Sequence, residues 1–180
     1  MENSLKIEMF LDTGFEHAAF FDPSQLVFRQ EVRDMCSPDK CHMYNRNWAC
    51  PPACGSIEDS VEKAKKYTAA VMLQSTSQLE DSFDIETIMQ TAEDHKKRFG
   101  EAVKIVRALD PDCLPMGAGG CNICRKCTYP GDPCRFPDKA FTSMEAYGLV
   151  VSEECKKAGL EYNYGNNTLT FSSCILYNEI

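Results

Sequence analysis

Cys121, Cys124 and Cys127 recur at every third position of Gly120-Cys121-Asn122-Ile123-Cys124-Arg125-Lys126-Cys127. Cys134 follows in Pro133-Cys134-Arg135-Phe136-Pro137 after six intervening residues. One short loop with this spacing can aim four sulfurs inward at a compact object. Thiolate is the soft ligand that both iron–sulfur clusters and zinc prefer. A cluster is larger than a single ion, so ligands spread along a loop with small neighbours suit it. Gly119 and Gly120 let the backbone turn and come close without a Cβ in the way. Unligated thiols at such spacing are the weaker reading, because free cysteines have no reason to gather in this way.

The triplet followed by a fourth cysteine near proline resembles the run by which bacterial ferredoxins hold a cubane cluster. It departs from that run in the longer gap to Cys134 and in the Arg135-Phe136 pair before Pro137. A second concentration lies upstream as Cys36-x4-Cys41-x8-Cys50-x3-Cys54. Pro51 and Pro52 forbid a helix between Cys50 and Cys54 and stiffen the loop. Four thiols again make a complete ligand set. The x4 and x3 gaps also suit structural zinc, so zinc stays open as the alternative, more at this set than at the other. The Cys-Pro junction favours a second four-iron, four-sulfur cluster.

Eleven cysteines in 180 residues are many for a domain long enough to bury a core of its own. Their odd number and their clustering argue against a disulfide framework. Met1 to Glu8 shows neither a basic region nor an apolar run of the secretory kind, and no stretch reaches the apolar length of a membrane span. A cytoplasmic, oxygen-sensitive metal protein is therefore expected. The net charge of -8 argues against a nucleic-acid or anionic-membrane partner, which would favour a basic surface.

The elements that must position these loops read as an α/β (α+β) chain: one compact domain over residues 1–180, with a small mixed sheet flanked by helices. His17–Phe21 and Leu26–Phe28 read as short strands, Glu31–Met35 as a helical turn, and Ser56 as the N-cap of a helix to about Lys66. Thr68–Gln74 reads as a buried central strand. Asp84 to Leu109 carries a helical stripe of Ile85, Ile88, Met89, Ala92, Phe99, Ala102, Val103, Val106 and Leu109, stopped by Pro111. His95 lies on that stripe and reads as a packed residue rather than a ligand. Ser143–Tyr147 reads as a short helix ended by Gly148, Leu149–Val151 as a strand, and Ser152–Glu154 as the start of a helix closed by Gly159. Glu161–Tyr164, a Gly165-Asn166-Asn167 turn and Thr168–Tyr177 read as a β-hairpin.

Taken together, Trp48-Ala49-Cys50-Pro51-Pro52-Ala53-Cys54-Gly55, Gly120-Cys121-x2-Cys124-x2-Cys127, Pro133-Cys134-Arg135-x-Pro137 and Ser143-Met144-Glu145-Ala146-x-Gly148 resemble the cysteine-rich predicted metal-binding proteins of domain-of-unknown-function family 2284. The resemblance runs from about Arg33 to Val151. It implies cytoplasmic metal binding, as found in anaerobic bacteria and archaea, and brings no substrate.

Three functions stay open. In the first, Cys36, Cys41, Cys50 and Cys54 hold one cubane cluster and Cys121, Cys124, Cys127 and Cys134 another, and the protein exchanges electrons with a redox partner protein. Arg33, Lys40 and Arg46, with Arg125, Lys126, Arg135 and Lys139, would offset cluster charge. The second is a cluster-dependent enzyme acting on a small substrate, with Cys113, His42, His95, Tyr44 and Arg135 as candidate lining. Gly117-Ala118-Gly119-Gly120 is too short and wrongly spaced for a phosphate loop. The third is a zinc-stabilised interaction module. Cys155 and Cys174 read as buried small hydrophobes, and Cys113 as a possible extra ligand.

Overall fold

The computed structural model describes residues 5–179; Met1–Ser4, the start of the stretch read for a leader, and Ile180 lie outside them. Among the described residues five α-helices and four strands alternate. They are α1 (Ile7–Leu11), β1 (His17–Phe21), α2 (Gln30–Asp34), α3 (Ile57–Ala64), β2 (Ala69–Gln78), α4 (Ile85–Arg107), β3 (Leu114–Met116), α5 (Val151–Lys157) and β4 (Thr168–Tyr177). The sheet order is β1-β2-β4-β3, and all three ladders are antiparallel. The expected α/β class with a small sheet flanked by helices is observed, but the sheet is antiparallel throughout rather than mixed, because β2 and β4 pair along their whole length in opposite directions.

Ala70, Val71, Met72 and Leu73 of β2 are all fully buried, so this strand is covered on both faces. On one face Val71, Leu73, Ile175 and Tyr177 pack against Phe99, Ala102, Val103 and Val106 of α4. On the other, Ala70, Met72, Cys174 and Leu176 pack against Met144, Tyr147, Leu149 and Cys155. Asp84 caps α4 by accepting from the Thr87 amide. Ile85 and Met89 were expected on the buried stripe but are 64% and 68% exposed. Thr91 already meets Ser77, the second-last residue of β2, through a 2.8 Å hydroxyl pair, so the helical turn before it has no strand beneath it.

Several short elements differ from expectation. Leu26–Phe28 and Leu149–Val151 reduce to a single bridge between Phe28 and Leu149, and Val151 begins α5 instead. Ser143–Gly148 is a series of turns rather than a helix. Gly148 sits at φ +93 with its Cα so close to Arg29 that a Cβ would lie 2.8 Å from the Arg29 carbonyl oxygen. The expected hairpin does not form. Glu161–Tyr164 is not a strand, because the Gln74 amide holds the Glu161 carbonyl at 2.8 Å and Gln74 Oε1 accepts from the Tyr164 hydroxyl at 2.7 Å. These contacts peel the segment away, and β4 pairs with β2 and β3.

Candidate metal centre

Residues 35–54 run from the end of α2 to the cap of α3 as consecutive turns. Cys36 leaves α2 with its amide donating to the Arg33 carbonyl at 3.0 Å. Cys54 turns back on Cys50 through a 3.2 Å amide–carbonyl bond, just before Ser56 and Asp59 close a capping box on α3. Arg33 is the tether of this loop. It is buried, and its guanidinium donates to the Ala146 carbonyl at 3.2 Å, to the Cys54 sulfur at 3.6 Å and to the Gly55 carbonyl.

Burial raises three thiols of this stretch, Cys36, Cys50 and Cys54. Burial pushes the Cys36 thiol up, and the nearby Cys41 and Cys54 push it further. Burial likewise raises Cys50, with Cys41 and Cys54 adding to it, and raises Cys54 against the pull of Arg33. Thiols crowded in this way resist ionising together unless a cation joins them. That donor chemistry fits a thiolate-bound metal group.

In the second stretch Cys121 shows the same crowding. Cys121 is raised by burial and then by Cys134, Cys127 and Cys124, although the Ile123 amide pulls it back. All four of these thiols line one small cavity, closed by Trp48, Thr128 and Phe136. As the loop stands the space is about 20 Å³, so a four-iron cube fits only with the loop displaced outward. Residues 130–133 are exposed, and such a displacement acts on the Trp48 bond to the Asp132 carbonyl. Among the described residues no three His, Cys, Asp or Glu side chains are close enough to share a single ion.

The two stretches are locked together. The Cys121 backbone pulls the Cys50 thiol down against the effect of burial. In return, the Trp48 amide helps those of Tyr129 and Thr128 to hold Cys127 below its ordinary value against the effect of burial. Trp48 Nε1 donates to the Asp132 carbonyl at 3.0 Å, its ring meets Tyr129 edge-on at 5.0 Å, and the Tyr129 hydroxyl donates to Asn45 at 2.8 Å. Gly120 lies against Met43, where a Cβ would fall 2.8 Å from Cγ. Spacing gives no hint of this joint, because it depends on contacts across more than seventy positions of chain.

The remaining candidates are scattered. Cys113 is buried in the core on the α4 side, its thiol pushed up to about 11 by desolvation, and is brought to neither set. Cys155 and Cys174 are buried on the opposite face of the sheet. His42 is exposed, on a turn at φ +57. His95 is buried between two hydroxyls, 3.0 Å from Ser75 Oγ and 2.8 Å from Ser173 Oγ. The Tyr44 amide donates to Asp39, and Arg135 donates to the Lys126 carbonyl within its own loop. Of the five residues considered for a catalytic lining, only His95 reaches the cavity between α4 and residues 117–123. Lys96 had no signal in the sequence; its ammonium bridges the Gly120 carbonyl and Asn122 Oδ1 at 3.0 and 3.1 Å, tying α4 to the second cysteine stretch.

A mixed helix–sheet domain carrying two adjoining thiol-rich loops is thus the class of protein at hand. Residues 19–177 match the family model described as predicted metal-binding protein (DUF2284), and the chain belongs to that family. No curated protein and no solved structure matches the chain significantly. Among the described residues no helix is long and apolar enough to cross a membrane.

Proposed function

We propose that the protein is a cytoplasmic electron carrier with two four-iron, four-sulfur clusters, one held by Cys36, Cys41, Cys50 and Cys54 and the other by Cys121, Cys124, Cys127 and Cys134. The observation that carries this reading is the joint between the stretches: the four thiols of the second set line one cavity beside Trp48, whose indole N–H donates to the Asp132 carbonyl at 3.0 Å. When bound, the clusters would supply single-electron chemistry. The chain's own part is to hold the sulfurs and to tune them. The Arg33 guanidinium on Cys54 offsets negative charge, which favours the reduced state. Trp48 and Tyr129 pack edge-on at 5.0 Å across the joint. Eight thiols divided into two full sets leave no ligand position for a substrate, which ranks a carrier above a catalyst. A redox partner protein is implied, and the acidic chain argues for one with a basic docking face.

Anaerobic purification with a visible spectrum and iron, sulfide and zinc analysis tests this. Brown protein with about eight irons per chain is expected, and Cys124→Ser should lose about half of them. Unchanged iron in that variant refutes the assignment of the second set. Stoichiometric zinc that disappears in Cys50→Ser, with iron kept elsewhere, would assign the first set to zinc instead.

A further inference from the structure

A cavity of about 470 Å³ lies between one face of α4 and the Gly117–Ile123 segment, within the size range of small-molecule sites. Its charge is opposite to that of the chain, which carries a net -8. Lys96, Lys97, Lys104, Arg107 and Lys139 line it, against Glu101 and Asp138. Lys104 is paired with Glu101 at 2.6 Å, and Lys97 with Glu93 at 2.9 Å. Among the described residues Lys96, Arg107 and Lys139 have no carboxylate partner, so three cations face a single acid, Asp138. Arg107 is held in place: it donates to the Asp138 carbonyl at 2.8 Å and lies 5.9 Å over the Phe141 ring. Phe99 and Phe141 meet edge-on at 5.3 Å and, with Ile123, give the same cavity an apolar wall.

A second observation comes from Gly100, in the interior of α4, where glycine costs helix stability relative to alanine. Packing does not demand it. Its φ is not in the left-handed range, and a Cβ built there meets nothing within 4 Å. What Gly100 does is leave the helix backbone bare where it lines the cavity.

We propose that this cavity binds a small organic anion with an aromatic or otherwise apolar body. The charged group sits by Arg107 and Lys139, and the body lies over Phe99 and Phe141 against the bare backbone of Gly100. Cys121 closes the far end, so the ligand lies beside the second cysteine stretch. The recognition uses the cavity's own cations and rings rather than the metal that the neighbouring thiols hold. A carboxylate and a phosphate ester share this chemistry, and the test separates them.

Anaerobically purified full-length protein, with whatever metal it carries, is titrated calorimetrically in phosphate-free buffer. The probes are benzoate, phenyl phosphate and the cationic isostere benzamidine. Saturable binding of at least one anion and none of benzamidine is expected; which anion binds names the source. Arg107→Gln should weaken that binding about tenfold or more, the loss of one charged hydrogen bond. Gly100→Ala should raise the melting temperature by about 2–4 °C, the gain from alanine in a helix spread over a chain of this size. Gly100→Leu should abolish binding while iron and zinc content stay at the wild-type level, which separates a filled cavity from a damaged metal loop. Absence of binding by both anions, equal binding of benzamidine, or wild-type affinity in Gly100→Leu would each overturn the proposal.

Discussion

Lowering the pH from 7 to 5 should destabilise this protein through one side chain, His95. Its imidazole is 1% exposed and both ring nitrogens are engaged by hydroxyls, Ser75 Oγ at 3.0 Å and Ser173 Oγ at 2.8 Å. Burial, then the nearby Arg98 and Lys96, push its pKa from 6.5 down to about 3. The native state therefore excludes a proton that the unfolded chain takes up below pH 6.5. Stability is fully present above 6.5, falls as the pH drops, and goes on falling until about pH 3. At pH 5 the unfolded histidine is protonated and the native one is not. The 1.5 units below 6.5, at about 1.4 kcal/mol each, give a loss of about 2 kcal/mol. Urea unfolding at pH 7 and pH 5, extrapolated to water, measures it. His95→Gln should be less stable at pH 7 yet lack this share of the pH dependence, and since both proteins keep the same cysteine loops, any effect of metal cancels in the comparison. The same pH dependence in both proteins would refute the reasoning. A histidine held neutral in this way is no proton donor at neutral pH, which sets it apart from the catalytic lining considered from the sequence.

Gly148→Ala should cost at least about 2 kcal/mol, from the unfavourable backbone conformation at φ +93 together with the contact at 2.8 Å with Arg29 O; thermal unfolding reads the loss, and a neutral result would mean that the turn relaxes freely. Removal of metal by a chelator should release amide-exchange protection in residues 35–54 and 117–137 first, while β2 and α4 keep theirs, because their packing on the sheet uses no residue of either cysteine set. Uniform loss of protection across the chain would show instead that the core depends on the metal.

How much was legible beforehand depended on whether the signal was local. The capping of α3 by Ser56 needs only a neighbour three residues away, and it follows from the sequence. The buried strand around Val71 and the packed state of His95 are likewise visible as apolar runs and periodicity. The misreadings share a cause. Ser143–Tyr147 and Glu161–Tyr164 carry reasonable local propensity, but the approach of Arg29 to Gly148 and the side chain of Gln74 decide their conformation from far along the chain. Ile85 and Met89 fit the helical period, yet whether a strand lies beneath them is not a property of the helix.

For the candidate site the division is sharper. Sequence by itself determined that eight cysteines fall into two ligand-sized sets, because spacing within a loop limits which sulfurs can face one object. Only the tertiary structure decided that the two sets adjoin, that Arg33 reaches Cys54, and that Cys113 belongs to the core. The cavity beside Cys121 belongs to the same group. Its cations come from α4 and from Lys139, and its glycine looks like a flaw in a helix until the opposite wall is in place. The physical reason is common to all of these: hydrogen bonds, charge and packing act over a few ångströms of space, and which residues come that close is settled by the sheet and helix that carry them.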